Sequence, residues 1–186
     1  MERLEGKLVR LRPMKDSDYE YFAALKNDLR TQAWNQRLPM ANTAAMMKEK
    51  FEKAAKRPNS ADFSIEKLDG TLIGHIGYHE GTPRLDATIG VVTGHEHWGK
   101  GYSQEAHELM LHYLFEERGL QAVRLWTQSA NERGVAAAKK MGFKVGARFR
   151  ENTIANGKYS DTIYMDVLRE EYYKSRGMTD RIGSLK

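Results

Sequence analysis

The sequence predicts an α/β (α+β) domain with a mixed, mostly antiparallel central sheet of about seven strands and about four flanking helices. Three observations predict this class. Segments with period-two alternation cluster in the first half of the chain, apolar residues recur at helical spacing, and from residue 86 onward strands and helices alternate. The 186 residues suffice for one sizeable core. We expect a single domain over residues 1–173 and a C-terminal tail over residues 174–186.

The first elements are predicted from alternation and from helix caps. KLVRLRP alternates apolar and basic residues, which predicts a first strand. Ser17 and Glu20 have the spacing of a capping box and predict the start of a helix. Asn42 or Thr43 is expected to cap a second helix.

The remaining elements follow from turn signals. Between the first two helices, TQAWNQRLPM is predicted to be a loop. FSIEKLDGTLIGHIGYH is predicted to form two strands joined at Asp69-Gly70, a strong hairpin signal. The later elements are a strand at 86–93, a helix at 103–118, the strand AVRLWTQ, a short helix capped by Asn131 and a closing hairpin turned at Asn156-Gly157.

Composition and charge exclude several classes of function. The chain has no cysteine, which excludes disulfides and thiolate metal sites, and it shows neither a signal peptide nor an apolar segment of membrane-spanning length. We expect a cytoplasmic protein with no membrane partner. The 30 basic and 25 acidic residues give a net charge of +5. Since the basic residues are scattered rather than clustered, they predict an anionic ligand rather than a nucleic acid.

The segment HWGKGYSQEA has the composition of an anion-binding turn. It follows a predicted strand and begins a helix, where backbone N–H groups and the helix dipole attract negative charge. Gly99 and Gly101 lack the Cβ atoms that would keep a ligand from those amides, and Lys100 adds a cation. The segment matches neither the Walker loop nor the dinucleotide fingerprint. A plain strand–helix turn is the alternative reading.

A second segment follows about thirty residues later and completes a family pattern. SANERGVAAAKKMGFKVG carries Asn131, a short helix and a Gly-Phe turn. Together the two segments resemble the GNAT superfamily of acyl-CoA-dependent N-acetyltransferases. WGKGY-x-x-EA and the late NGKYSDTIYMDVLREEY look most like its RimJ/RimL-like branch, which acetylates the N-termini of ribosomal proteins.

The resemblance implies a GNAT-like domain that uses acetyl-CoA as cosubstrate and needs no metal. The strand before the loop would pair with the pantetheine arm, and an N–H near Val92 would polarise the thioester carbonyl. The loop amides would hold the pyrophosphate. The implied acetyl-CoA site comprises Val91, Val92, Thr93, Trp98, Gly99, Lys100, Gly101, Tyr102, Ser103, Asn131 and Arg133.

The sequence departs from the family pattern at the positions that handle protons. The usual tyrosine and serine acids are replaced by Ala138 and Gly134, and the glutamate frequent in this branch is replaced by Thr88. A thiolate leaves with little acid assistance, so the loss of both acids does not by itself argue against activity. His79 and Glu80, at the end of a predicted strand, are the candidate general bases.

The function predicted from the sequence is acetyl transfer to a primary amine by direct attack. The amine is a protein N-terminus or a small molecule such as an amino sugar, a polyamine or an antibiotic, and the loop carrying Trp34 would form part of its binding wall. A non-catalytic acyl-CoA-binding module and, on charge alone, a nucleic-acid binder are the alternatives. Monomer and homodimer both stay open. HELMLH and His95-Glu96-His97 lack the ligand spacing of a metal site.

Overall fold

The computed structural model describes residues 4–34, 41–155 and 157–178. They form a seven-stranded sheet in the order β1-β2-β3-β4-β5-β7-β6. The strands are β1 (Val9–Arg12), β2 (Ser60–Lys67), β3 (Leu72–Glu80), β4 (Asp86–Thr93), β5 (Ala122–Gln128), β6 (Lys144–Ala155) and β7 (Lys158–Leu168). The helices are α1 (Asp18–Asn27), α2 (Leu29–Gln32), α3 (Ala44–Ala55), α4 (Tyr102–His112), α5 (Glu132–Lys140) and α6 (Arg169–Ser175), and a π-helical turn, Tyr113–Glu117, extends α4.

The sheet is an antiparallel meander joined to a second antiparallel unit by one parallel pair. Strands β1 to β4 pair antiparallel in sequence order, and β7 pairs antiparallel with both β5 and β6. β4 and β5 are parallel and pair over three residues each, 86–88 with 122–124. This mixed, mostly antiparallel sheet confirms the predicted fold class.

Two hydrophobic clusters cover opposite faces of the sheet. Side chains alternate along β4, so Ile89 and Val91 pack into the larger cluster with α4, whereas Val92 packs into a smaller cluster. The smaller cluster is formed by α1 and α3, whose buried members are Tyr19, Phe22, Ala23, Leu25, Met47 and Phe51. The sheet therefore separates a face covered by α4 from a face covered by α1 and α3.

Some local predictions hold and others do not. Thr43 caps α3 by accepting from Met46 N, as predicted, but the capping box at Ser17 is wrong because this residue is helical and its side chain caps nothing. Instead, the neighbouring Asp18 is drawn into an ion pair with Arg12 at 2.8 Å. The described residues form six α-helices, two more than expected.

The two additional helices are α2 and α6. The short α2 includes Thr31 and Gln32, the first two residues of the predicted loop, so the loop prediction is wrong there; residues 35–40 of that loop fall outside the described part of the chain. α6 continues to Ser175, and Tyr173 is buried, so ordered structure passes the predicted domain end at residue 173. Residues 179–186 of the predicted tail, and Asn156 of the predicted turn, also lie outside the described residues.

Candidate active site

A cleft opens where β4 and β5 diverge. Beyond the three paired residues, β4 keeps its pairs with β3 over residues 89–93, while its other edge faces the cleft instead of β5. The cleft has a volume of about 540 Å³ and is lined by residues from both faces of the sheet. Ile89 and Leu125 come from the α4 face, and Gly90 and Trp126 come from the opposite face. The cleft therefore passes through the sheet.

The glycine-bearing turn closes one end of this cleft. Gly99 and Gly101 adopt φ values of +74° and +83°, in the left-handed region that favours glycine. Gly101 is the residue before the first turn of α4. A Cβ at Gly99 would meet no atom within 4 Å, so both the dihedral angle and the space beside the backbone suit a closely approaching ligand.

The amides of the turn have no acceptor within the described chain. Trp98 N donates to His95 O at 3.2 Å, and regular helical bonding resumes where Glu105 N donates to Gly101 O at 3.0 Å. No backbone acceptor in the described residues binds the N–H groups of residues 99–104 between them. A row of free N–H groups at a helix N-terminus binds anions such as phosphate.

The residues predicted around acetyl-CoA assemble here. All eleven except Lys100 line the cleft, and Trp34 lines it as well. Lys100 is exposed, and its Nζ donates to Glu96 O at 3.0 Å. The local sequence pattern thus brings the turn, the free edge of β4 and the start of α5 to one place.

Asn131 is held in position by two hydrogen bonds. Its Oδ1 accepts from Gly134 N at 3.1 Å and caps α5, and its Nδ2 donates to Thr127 Oγ1 at 3.1 Å. A Cβ at Gly134 would approach Asn131 Cγ to 2.8 Å. The serine that is common at this position in the RimJ/RimL-like branch therefore does not fit beside Asn131 as it is placed here.

Comparison with known protein families identifies the fold that carries this cleft. The Acetyltransferase (GNAT) domain matches residues 9–144. The chain belongs to the GNAT acetyltransferase family. It is therefore an acyl-CoA-dependent acetyltransferase, as the sequence predicts.

Two curated relatives of this GNAT enzyme carry N-acetyltransferase names without a stated substrate. The SPbeta prophage-derived uncharacterized N-acetyltransferase YokL of Bacillus subtilis is 24% identical over 174 residues, 92% of this chain and 96% of its own length. The uncharacterized N-acetyltransferase YnaD of the same organism is 28% identical over 123 residues, covering 66% and 72% of the two chains.

Solved structures share the fold at low sequence identity. A spermidine N-acetyltransferase from Vibrio cholerae, in complex with CoA and spermine, superimposes with a TM-score of 0.81 at 22% identity, covering 90% of this chain and 99% of that one. A GNAT-family acetyltransferase from Bacillus anthracis gives a TM-score of 0.77 at 20% identity, covering 90% and 98%. No described helix is long and apolar enough to span a membrane.

The two predicted bases of this GNAT enzyme are not among the residues that line the cleft. Glu80 accepts from Arg118 Nη2 at 2.5 Å and from Arg84 N at 2.8 Å. Burial acts to raise the pKa of Glu80, but these two donors outweigh it and hold the pKa below its usual value. A carboxylate neutralised in this way is a poor proton acceptor. His79 is exposed on β3, two residues beyond Gly77.

Sequence reasoning missed two histidines that line the cleft. His97 lies 3.4 Å from Glu96 Oε1, and its ring meets Tyr102 edge to face. His107 Nδ1 donates to Ser103 O at 2.7 Å. Burial lowers the pKa of both imidazoles. In the sequence, His107 follows Ser103 by one helical turn, and this spacing could have placed its side chain beside the glycine-bearing turn.

The arrangement can hold an anionic thioester and expose it to a second substrate. Amides that have no acceptor within the described residues would hold the phosphates at one end, the edge of β4 that does not pair with β5 offers N–H and C=O groups along the cleft, and Trp126 and Trp34 also line it. Two substrates entering from opposite faces of the sheet would meet inside the cleft.

Proposed function

We propose that the protein transfers an acetyl group from acetyl-CoA to a primary amine by direct attack of the amine on the thioester. The observation that carries this proposal is the row of N–H groups at residues 99–104 that find no acceptor in the described part of the chain, placed at the end of the cleft between β4 and β5. The amides would hold the pyrophosphate, and residues 91–93 would pair with the pantetheine arm. The N–H near Val92 would polarise the carbonyl.

The acceptor class rests on the charge of the cleft. No Asp or Glu lines it within the described residues, whereas Arg133 and Lys140 do. A polyamine carries several positive charges and needs carboxylates to neutralise them. We therefore favour an amine with one positive charge, either a small molecule or, as the RimJ/RimL-like motifs suggest, a protein N-terminus. The cytoplasmic location stays a prediction.

Two measurements test the proposal. Isothermal titration with acetyl-CoA tests binding, and a screen of primary amines that follows the release of free CoA tests transfer. We expect binding together with amine-dependent release of CoA. Binding without release for any amine would favour the non-catalytic acyl-CoA-binding module instead. Absence of binding would contradict the proposal.

A further inference from the structure

Beside the cleft, on the sheet face opposite α4, a strip of three residues with little side-chain bulk crosses three neighbouring strands. Asp62 of β2, Gly77 of β3 and Gly90 of β4 lie in register on three neighbouring strands. Paired residues of antiparallel strands share a face. His75, two residues before Gly77, contacts the rings of Phe22 and Phe51, so this is the face covered by α1 and α3.

The glycines leave room for one carboxylate on this strip. A Cβ at Gly77 would come within 2.8 Å of Asp62 Cγ, so the Asp62 side chain lies over Gly77 and occupies the space that a side chain would fill. A Cβ at Gly90 would meet nothing within 4 Å, and Gly90 lines the cleft. Because neighbouring strands are about 4.8 Å apart, the carboxylate lies about one strand spacing from the cleft floor.

Asp62 differs from the paired carboxylates of the domain. Asp18 and Glu66 bind Arg12, Glu80 binds Arg118, and Asp86 binds Arg124. For the half-buried Asp62, no described residue provides a hydrogen bond or an ion pair.

The surroundings of Asp62 leave its charge incompletely compensated. Lys50 and Arg57 approach from α3 and the turn after it, and His79 approaches from β3. Burial raises the pKa of Asp62 against the opposing effect of these three groups. A carboxylate with a raised pKa accepts a proton more readily at neutral pH.

We propose that Asp62 is the residue that receives the ammonium group of the acceptor and takes its proton. The inference rests on the proposed function, since it assigns the amine to the face opposite the phosphate-binding turn. The ammonium R–NH₃⁺ gives one proton to the Asp62 carboxylate, directly or through one water, and the neutral amine R–NH₂ remains. The carboxylic acid then returns the proton to solvent. No redox change or further reactant is required.

The test compares Asp62→Asn with wild type on an amine that the wild type acetylates. We expect kcat/KM for the amine to fall about 10²-fold or more, the usual size of a general-base contribution. The affinity for acetyl-CoA should stay unchanged, and the ascending limb of the pH profile of kcat/KM should move to higher pH, because without Asp62 only amine that is already neutral in solution reacts. Glu49→Gln, an equivalent change on the exposed side of α3, is the matched control and should behave as wild type.

A second variant tests whether the loss of activity in Asp62→Asn comes from the position of the carboxylate. Gly77→Ala places a methyl group where the carboxylate lies, so it should displace Asp62 and lower kcat/KM in the same direction. Thermal unfolding checks that both variants are folded. Turnover by folded Asp62→Asn within twofold of wild type, with the same pH profile, would overturn the inference.

A separate measurement distinguishes failure of the proposed acetyl transfer from failure of the Asp62 assignment. If the wild type binds acetyl-CoA but releases no CoA with any amine, acetyl transfer is refuted. The carboxyl ¹³C resonance of Asp62, identified by its loss in Asp62→Asn, is then followed while pentylamine is added to the CoA complex. A shift of this resonance supports amine binding at Asp62, and an unmoved resonance overturns it.

Discussion

The guanidinium carbon of Arg133 lies 4.5 Å from the centre of the Trp98 ring. Trp98 stands at the start of the glycine-bearing turn, and its Nε1 donates to Thr93 O at 3.0 Å. The indole is thereby fixed between the end of β4 and the start of α5. The contact places the Arg133 guanidinium, which comes from α5, against the start of the glycine-bearing turn.

The first prediction concerns this pair. Arg133→Gln should weaken the binding of acetyl-CoA by about 3- to 30-fold, because a cation–π contact is worth about 0.5–2 kcal/mol and the charge next to the phosphates is lost too. Isothermal titration measures the affinity. Arg150→Gln, which removes an exposed arginine on β6, is the control and should bind as wild type. Equal affinity of the two variants would contradict the assignment.

The second prediction concerns the left-handed glycines. Gly101→Val should abolish the binding of acetyl-CoA, because the branched side chain would crowd the amides and strain the backbone at φ +83°. Gly70→Val is the matched control, since Gly70 has a similar φ of +89° and open space around it but lies in the Asp69-Gly70 turn. Both variants should lose comparable stability in thermal unfolding. Unchanged affinity in folded Gly101→Val would show that the phosphates lie elsewhere.

The parts of the site that the sequence predicted are those fixed by local backbone chemistry. The turn at Gly99 and Gly101 needs positive φ, which glycine signals by itself, and Asn131 caps α5 within three residues. The role of Glu80 was not predictable in this way. Its partner Arg118 is 38 residues away, and no local pattern encodes that ion pair.

The difference between local chemistry and long-range contacts also explains why the sequence does not single out Asp62 and why the predicted cap at Ser17 is wrong. Asp62 becomes notable through the register of three strands, which sets its side chain over Gly77. Ser17 has good capping chemistry in the sequence, but the pairing of Arg12 with Asp18 sets the start of α1 instead. Tertiary pairing outweighs a local preference worth about 1 kcal/mol.

The third prediction concerns acid stability. His75 packs between Phe22 and Phe51, with both ring centres 5.1 Å away, and its buried Nδ1 has no hydrogen-bond partner among the described residues. Burial lowers its pKa to about 3, and the charges of Lys50 and Lys26 act in the same direction. The native imidazole therefore stays neutral at pH values where the unfolded chain, with a usual histidine pKa of about 6.5, binds a proton.

The sign of the effect follows from this difference in bound protons. Above about pH 6.5 His75 contributes no pH dependence, and from there down towards pH 3 it lowers the free energy of unfolding by up to about 1.4 kcal/mol per pH unit. His75→Phe should remove this contribution. Urea unfolding at pH 7 and pH 5 should show a smaller loss of stability for the variant than for wild type. An equal loss in both proteins would contradict the buried, neutral state of His75.

The last prediction concerns the charge of the acceptor. If Asp62 takes the reacting ammonium from beside the cleft, no Asp or Glu among the described residues lines the cleft itself to receive a second one, and Arg133 and Lys140, which line it, oppose a second positive charge. Pentylamine and 1,5-diaminopentane have the same chain length and differ by one ammonium, so they isolate this effect. We expect kcat/KM to be about tenfold higher for pentylamine, since an uncompensated charge costs on the order of 1 kcal/mol near a protein surface. Added salt should narrow the difference, because it screens the repulsion. A preference for the diamine that weakens with salt would show instead that carboxylates outside this cleft receive the second ammonium, and the acceptor would then be a polyamine.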